Sequence, residues 1–238
     1  MTTTSDQLTQ AIAAINALEQ TYAQEAQAIR DQVNAAIVAA PILYQSVHVD
    51  ALNGSDENLG TLAAPVATLQ RAIDIIPRRG SGIIFLLSDL IVDEPVVVED
   101  KHIRVLASET IVFRPVIQLD DYLEGSVQRA AYFDLGSNAM LYLNAIDVAI
   151  IADHSNLVTD SEIIRTRSLT SLRSDIKFLD VNFSGMTDQV VVRSGAQVFL
   201  SLMVISVTGV TGGNWLNDFA AGLDPATLNF LRTNLTAL

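Results

Sequence analysis

The residues best suited to acid–base chemistry are seven aspartates in the second half of the chain. Hydrolysis of a glycosidic bond uses two carboxyl groups about 5 to 9.5 Å apart on either side of a sugar. Asp147 and Asp180 lie ten and twelve residues after Ser137 and Ser168, which occupy matching places in two similar segments. We expect these two carboxylates to be neighbours, but aspartates in solvated turns give the same pattern, and we predict no catalytic residue. The full set is Asp120, Asp121, Asp147, Asp153, Asp175, Asp180 and Asp188.

A second group of oxygen-bearing side chains clusters early in the chain and could bind Ca²⁺. Its spacing does not match the twelve-residue loop of an EF-hand. An Asn-Gly pair flanked by Asp and Ser is more simply the signature of a tight turn. The three histidines are far apart, and the chain has no cysteine. We therefore predict no metal site and no cofactor from either set: Asp50, Asn53, Ser55 and Asp56, or His48, His102 and His154.

Composition limits the partners that this chain can have. Half of its 238 residues are hydrophobic and only 17% are charged, which favours apolar surface buried between chains. The net charge of −13, with lysine only at Lys101 and Lys177, argues against nucleic-acid phosphate as a partner. No run reaches the roughly 18 apolar residues of a membrane helix, and the N-terminus lacks the features of a secretory signal. We expect neither membrane insertion nor secretion.

Residues 5 to 40 have the pattern of one long helix, with Ser5 or Asp6 as the N-cap and Pro41 as the stop. Its apolar positions recur about every 3.6 residues, the period of a straight helix. A single solenoid domain cannot cover such a stripe, so the helix needs copies of itself or a neighbouring protein, and we predict a homotrimeric bundle. A long solvated helix docked on its own domain is the alternative. The stripe comprises Leu8, Ile12, Ile15, Leu18, Tyr22, Ala26, Ile29, Val33 and Ile37.

A short amphipathic helix is predicted over residues 65 to 77, with Leu69, Ala72, Ile73 and Ile76 on one face. From Ile83 onward the pattern is that of short β-strands. The β-rich runs are 83–87, 96–98, 103–106 and 111–113. We predict that the short helix caps the open end of a coil built from these strands.

Apolar positions repeat when Ser137, Ser168 and Ser194 are aligned, with offsets of 31 and 26 residues. A turn of a β-solenoid holds a similar number of residues. Alternation in a β-sandwich is the competing interpretation. Asp224 and Pro225, followed by leucines at helical spacing, predict a C-terminal helix over 224–236. The predicted domains are 1–41 for oligomerisation, 42–80 for linker and cap, 81–212 for the coil and 213–238 for the C-terminal cap.

The stretch from Val47 to Pro77 resembles the entry to the right-handed parallel β-helix of bacteriophage tailspikes and tail fibres. The family pattern is Tyr-Val-Asp, Asn-Gly-Ser-Asp, Gly-Thr and Pro-Phe-x-Thr-Ile-Gln-x-Ala-Ile, and Val66 stands where Phe is usual. The resemblance implies a mainly β protein of the pectate-lyase-like type, with a short β-helix behind the long helix. The matching residues are Val49, Asp50, Asn53, Gly54, Ser55, Asp56, Gly60, Thr61, Pro65, Thr68, Leu69, Gln70, Ala72 and Ile73.

The resemblance implies a structural virion protein of a tailed bacteriophage, a short trimeric tail fibre or spike attached through its N-terminal helix. Its expected partners are copies of itself, other phage structural proteins and, as a candidate, host surface glycan. A fibre adaptor or a capsid decoration protein fits the short coil as well. A glycan depolymerase remains an alternative because parallel β-helices often carry polysaccharide lyases and hydrolases. A surface adhesin is a third class, which a secretion signal would favour.

Overall fold

The structure is a computed structural model that describes residues 3–39, 43–108, 114–152, 162–167, 173–185, 190–194, 199–209, 214–216 and 231–235. The chain divides into two compact units, Met1–Ile42 and Leu43–Leu238. The first unit is helical and the second is mainly β. In the described part, no helix is both long enough and apolar enough to cross a membrane.

The N-terminal helix α1 runs from Thr4 to Ala39, within one residue of the range predicted from sequence. It begins one residue earlier than expected, so Ser5 and Asp6 lie in its first turn and neither is the N-cap. A helix of 36 residues is about 54 Å long. Its six large apolar residues with described side chains are each more than half exposed: Leu8, Ile12, Ile15, Leu18, Tyr22 and Ile29. The side chains of Val33 and Ile37 lie outside the described part.

The second unit consists of short strands and one short helix, α2 (Leu69–Ile75). In chain order the described strands are β1 (Tyr44–Val49), β2 (Ser81–Leu86), β3 (Leu90–Val92), β4 (Val96–Val98), β5 (His102–Ala107), β6 (Val116–Leu119), β7 (Asp121–Glu124), β8 (Val127–Ala130), β9 (Phe133–Leu135), β10 (Met140–Ile150), β11 (Glu162–Thr166), β12 (Arg173–Ser184), β13 (Val190–Ser194), β14 (Phe199–Thr208), β15 (Asn214–Leu216) and β16 (Leu231–Thr233).

Two parallel sheets contain all of these strands except the antiparallel hairpin β7–β8. The large sheet has the order β1-β2-β5-β10-β12-β14-β16, with β3 and β6 beside it. The small sheet has the order β4-β9-β11-β13-β15. Both orders follow the chain. From β3 onward, apart from the hairpin, the chain goes alternately from one sheet to the other, and each such pass pairs with the pass before it.

The large sheet curls because its long strands turn a corner. The first half of β10 pairs with β5 and the second half pairs with β6. Ala145 stands between the two halves with φ of 54°, and Asp180 and Ser206 hold φ of 54° and 53° at the matching points of β12 and β14. This left-handed backbone shifts the alternation of side chains, so that Leu143 and Ile146 on either side of the corner both face the interior.

The interior of the β unit is apolar and closely packed. Phe133, Phe178 and Phe183 are the largest of the described side chains that are fully buried, and the rings of Phe178 and Phe183 meet edge to face with centroids 5.4 Å apart. Gly209 (φ 83°) lies where a Cβ atom would stand 1.7 Å from the carbonyl oxygen of Phe183. Neighbouring passes of the chain approach so closely there that only glycine fits.

Helix α2 covers one end of this interior. Thr68 is its N-cap, and the Thr68 hydroxyl accepts a hydrogen bond from the backbone N–H of Arg71. The four residues of its predicted apolar face are at most 1% exposed: Leu69, Ala72, Ile73 and Ile76. The helix is shorter than the predicted range of 65–77, since Val66 instead forms a bridge to β1.

The repeat predicted from sequence holds for one offset and is wrong for the other. Val181 pairs with Val207, which confirms the offset of 26 residues. Val148 pairs with Phe183 in the large sheet, an offset of 35 and not 31. The small sheet does have an offset of 31, with Ile164 opposite Phe133. The connection from β11 to β12 is therefore four residues longer than the connection from β9 to β10, and this lengthens the offset in the large sheet from 31 to 35. The run 111–113 lies outside the described residues.

The predicted C-terminal helix is wrong over part of its range. Leu231–Thr233 forms β16, which pairs with Leu200–Leu202 of β14. The leucine spacing indicated a helix, but the outer edge of β14 offers unpaired backbone groups, and pairing with them outweighs local propensity. The rest of the predicted helix, apart from Asn234 and Leu235, lies outside the described residues.

Replacing alanine by glycine in β10 should have opposite effects on the free energy of unfolding at the corner, Ala145, and away from it, Ala149. Ala145→Gly should raise the free energy of unfolding by about 0.5 to 1 kcal/mol, since an alanine pays about 1 to 2 kcal/mol in left-handed backbone. Ala149→Gly, in regular β10 backbone, should lower it by a similar amount. Urea denaturation at one protein concentration measures both. A loss of stability in Ala145→Gly would contradict this account of the corner.

Candidate functional site

Asp147 and Asp180 are brought together, but an arginine lies between them. The Arg114 guanidinium contacts the Asp147 carboxylate through Nε and the Asp180 carboxylate through Nη1, the latter at 2.9 Å. Its Nη2 donates to the backbone oxygens of Ile146 and Asp180, at 3.0 and 2.6 Å. Arg114 precedes β6 and comes from a different pass of the chain than either aspartate. Sequence reasoning did not find it, because nothing in its local pattern marks it.

This group of one arginine and two aspartates has the character of a structural ion-pair cluster. Burial acts to lower the pKa of Arg114, but the hydrogen bonds and charges of Asp147 and Asp180 outweigh it, so the pKa is raised. The guanidinium therefore stays charged and holds both carboxylates. A general acid and a nucleophile need two carboxyl groups with separate environments and room for a sugar between them. An arginine fills the space between these two.

The remaining candidate aspartates are not gathered into one site by the structure. Asp120 accepts a hydrogen bond from the backbone N–H of Asp121 at 2.8 Å, at the start of the hairpin. Asp175 lies on the outer face of β12. Asp153 and Asp188 lie outside the described residues.

The oxygen-rich loop before α2 uses its oxygens to close itself. The Asp50 carboxylate accepts from the backbone N–H groups of Leu52 and Asn53 and from the Asn53 side chain. Burial would raise the pKa of Asp50, but these hydrogen bonds lower it below its usual value. Asp56 accepts from the backbone N–H groups of Ala67 and Thr68, both at 2.9 Å, and from the Thr68 hydroxyl at 2.8 Å.

Glycine is required at the tight turn in this loop. A Cβ atom on Gly54 would stand 2.4 Å from the backbone oxygen of Val66. The Asn-Gly-Ser-Asp sequence thus joins the end of β1 to the N-terminus of α2. Within the described residues, no group of three or more His, Asp or Glu side chains could hold a metal ion.

The described histidines do not form a site either. His48 stacks on Phe85 of the neighbouring strand, with ring centroids 5.2 Å apart and planes 22° apart. His102 begins β5 on the outer face of the same sheet, one strand further along. His154 lies outside the described residues.

A buried glutamate surrounded by arginines is a feature that the sequence did not reveal. The Glu162 side chain is completely buried, and the Arg165 Nε contacts its carboxylate. Arg193 Nε donates to the same carboxylate at 2.9 Å, and Arg129 Nη1 lies 3.7 Å from it. Arg165 and Arg193 stand directly opposite on β11 and β13, where their like charges would repel each other without a carboxylate.

The hairpin β7–β8 is fixed to the small sheet through the same cluster. Glu124 of β7 accepts from Arg165 at 2.7 Å and pairs with Arg129 at 2.8 Å. The Arg165 guanidinium lies 4.1 Å from the centre of the Tyr132 ring and also donates to the Tyr132 hydroxyl at 2.7 Å. Burial raises the pKa of Tyr132 to about 12. Tyr132 is itself buried, so this cluster anchors the hairpin and offers no open reaction site.

Comparisons with known proteins give one partial likeness. No family model and no curated protein matches the chain. The chain is similar to a solved structure named rhamnogalacturonan lyase, with a TM-score of 0.40 and 15% sequence identity, over 73% of this chain. The match covers 60% of the chain of that protein. A likeness at this identity and TM-score says nothing about activity.

Removing the charge of Glu162 should destabilise the β unit strongly. Glu162→Gln leaves three arginines around a neutral amide, and we expect a loss of about 3 kcal/mol in the free energy of unfolding. Glu57→Gln removes the same charge from an exposed loop and should change stability by less than about 0.5 kcal/mol. Denaturation of both variants by urea tests the difference. Equal stability of the two variants would show that the cluster does not hold the sheet.

The hairpin anchor should also be sensitive to acid. The hydrogen bond from Arg165 is the largest of the effects that lower the pKa of Glu124 below 4.5 in the folded protein. A lowered carboxyl pKa stabilises the fold above the unfolded value near 4.5, and this stabilisation is lost as the pH falls through the folded value. The melting temperature should therefore drop less between pH 6 and pH 3 in Glu124→Gln than in the parent protein. An identical drop would be evidence against the anchor.

Proposed function

We propose that this chain is a structural virion protein of a tailed bacteriophage, a short trimeric fibre or spike. Its N-terminal helix packs against copies of itself and attaches it to the particle, and its β unit faces outward. The observation that carries the proposal is the exposed stripe of α1. The six large apolar side chains of that stripe that the structure describes are 51 to 63% exposed.

The energetics of the stripe favour self-association. Full burial of one large apolar side chain contributes roughly 1.5 to 3 kcal/mol, so a stripe of this length supplies ample free energy for association. Alanine, glutamine, asparagine and threonine make up much of the rest of α1, and their small or uncharged side chains allow helices to approach closely. Three copies related by a three-fold axis would each cover the stripes of the others.

The topology of the β unit supports the proposal that it is a right-handed parallel β-helix. Successive passes pair in parallel within both sheets, and the three aligned corner residues divide each long strand between two faces. Crossover connections between parallel strands of one sheet are right-handed in about 98% of cases. A coil of this kind needs a cover over its apolar end, and α2 provides one.

The loop before α2 supports the phage assignment. The residues by which the chain resembles the tailspike and tail-fibre entry are the ones that close the loop and cap the helix: Asp50, Asn53, Gly54, Asp56 and Thr68. These five residues have a structural role in this chain, so the resemblance concerns residues that build the loop and not composition alone. Tail, baseplate and capsid surface are the candidate positions in the particle, and an adaptor that carries another fibre fits the same geometry.

The alternative of a glycan depolymerase loses the residue pair on which it depended. Asp147 and Asp180 are both held by Arg114, which leaves no room for a sugar between them. We therefore propose no reaction at this pair.

Disruption of the stripe should prevent assembly of the chain. The parent protein should sediment at three times the 25.7 kDa mass of one chain. The double variant Ile15→Asp and Ile29→Asp should sediment as a monomer, because each aspartate would bury an uncompensated charge in the bundle. Gln20→Asp with Gln24→Asp introduces the same residues on the opposite side of α1 and should remain trimeric. A parent protein that stays monomeric at micromolar concentration would contradict the proposal.

Particle incorporation tests the virion assignment separately. Mass spectrometry of density-purified particles from the phage that encodes the chain should detect the full-length protein. A chain lacking residues 1–42 should be absent from those particles although it is present in the cell extract. Normal incorporation of the shortened chain would overturn attachment through α1, and absence of the full-length chain would overturn the virion assignment.

A further inference from the structure

A groove of about 330 Å³ lies on the outer face of the large sheet, at the end furthest along the chain. The register sets Asp175 between Met140 and Ser201, and Lys177 beside Met203 on the next strand. Asp175 and Lys177 are two residues apart on β12, so their side chains stand on the same face. The groove is lined mainly by Met140, Asp175, Lys177, Ser201, Met203 and Asn234.

The last described segment of the chain forms a wall of this groove. After β16 pairs with β14, the Asn234 side chain accepts from the backbone N–H of Val204 at 2.7 Å and donates to the Val204 oxygen at 2.5 Å. These two hydrogen bonds imitate strand pairing and fix the position of Asn234. The groove is therefore built from sheet backbone on its floor and from an anchored side chain at its side.

The charged side chains among the described lining residues are Asp175 and Lys177. Lys177 is one of only two lysines, and the other, Lys101, donates to the backbone oxygen of Ile73 at 2.7 Å. Among the residues that the structure describes, Lys177 has no hydrogen-bond or ion-pair partner within the chain. An ammonium group that faces an open groove in a chain of net charge −13 is suited to an anionic ligand.

The other groups narrow the class of ligand. The Asp175 carboxylate, which has an interaction of its own within the chain, accepts hydrogen bonds from hydroxyl groups and repels any anionic group placed beside it. The charged group of a ligand must therefore lie at Lys177, and hydroxyl groups must face Asp175. Ser201 offers a hydroxyl, while Met140 and Met203 offer apolar contact. A ligand that suits all of these groups carries one carboxylate, several hydroxyls and an apolar face. A groove of about 330 Å³ falls in the size range of small-molecule sites.

We propose that this groove binds an acidic sugar of the hexuronate type. The sugar carboxylate pairs with Lys177, its hydroxyls donate to Asp175, and its C–H face packs on Met203. That the sugar belongs to a host surface glycan rests on the proposed function. That the groove binds an acidic sugar rests on the groove residues alone.

Ligand-observed NMR titrations of the full chain with glucuronate and with glucose test the site. Glucuronate should bind at least tenfold more tightly than glucose, and Lys177→Gln should weaken glucuronate binding by roughly tenfold or more, as expected for loss of a charge-assisted hydrogen bond. Arg30→Gln removes one positive charge from exposed α1 and should bind as the parent does. Met203→Glu, at a position 43% exposed, should also abolish glucuronate binding without unfolding the protein.

Failure of this site and failure of the proposed function give different results. The groove variants should keep the parent melting temperature and the parent sedimentation, because α1 is unchanged. Equal binding of glucuronate and glucose, no binding of either, or unchanged binding in Lys177→Gln would each overturn the groove proposal, whatever the assembly state.

Discussion

Backbone pairing between consecutive passes of the chain is the constraint on which the β unit depends. From β3 onward the chain alternates between the two parallel sheets, and each strand pairs with strands from the preceding and following passes. An unpaired edge and an open apolar interior therefore remain wherever the series ends. Helix α2 with its four buried residues covers one such end. The loop from Asp50 to Thr68 holds that helix in place by hydrogen bonds.

Much of this architecture can be predicted from local pattern. The 3.6-residue period gave α1 to within one residue at each end, and β-branched runs gave β4 and β5. The apolar face of α2 was also evident, since its four residues share one side of a short helix. These predictions succeed because each depends on residues within a few turns or strands of each other.

The features that could not be predicted from sequence depend on pairing between segments that are far apart in the chain. Ala145 holds left-handed backbone without being Gly or Asn, so nothing local marks the corner. The offset of 35 residues between β10 and β12 follows from four extra residues that a single fixed repeat cannot accommodate. Arg114 has both of its carboxylate partners more than 30 residues away, and Glu162 adds two arginines about 30 residues away to its local partner Arg165.

Charged groups in the β unit serve mainly to hold it together. Arg114 binds two carboxylates, and Glu162 lies among three arginines, so the clusters that first suggest chemistry are already satisfied internally. Two surfaces of the described residues are not used in this way: the apolar stripe of α1 and the groove beside Lys177. The first suits copies of the same chain, and the second suits a small polar ligand. This division agrees with a protein that assembles through one unit and meets its surroundings with the other.

Site-directed disulfide formation tests the central claim that α1 packs in parallel against itself. The chain has no cysteine, so a disulfide formed after one cysteine is introduced must join that same position in two copies. In a parallel bundle, Ile15 of one copy lies close to Ile15 of the next, and oxidised Ile15→Cys should run as a covalent dimer on a non-reducing gel. Gln24→Cys, on the opposite side of α1, should stay a single chain under the same oxidation. Covalent dimers at Gln24→Cys and none at Ile15→Cys would contradict the account.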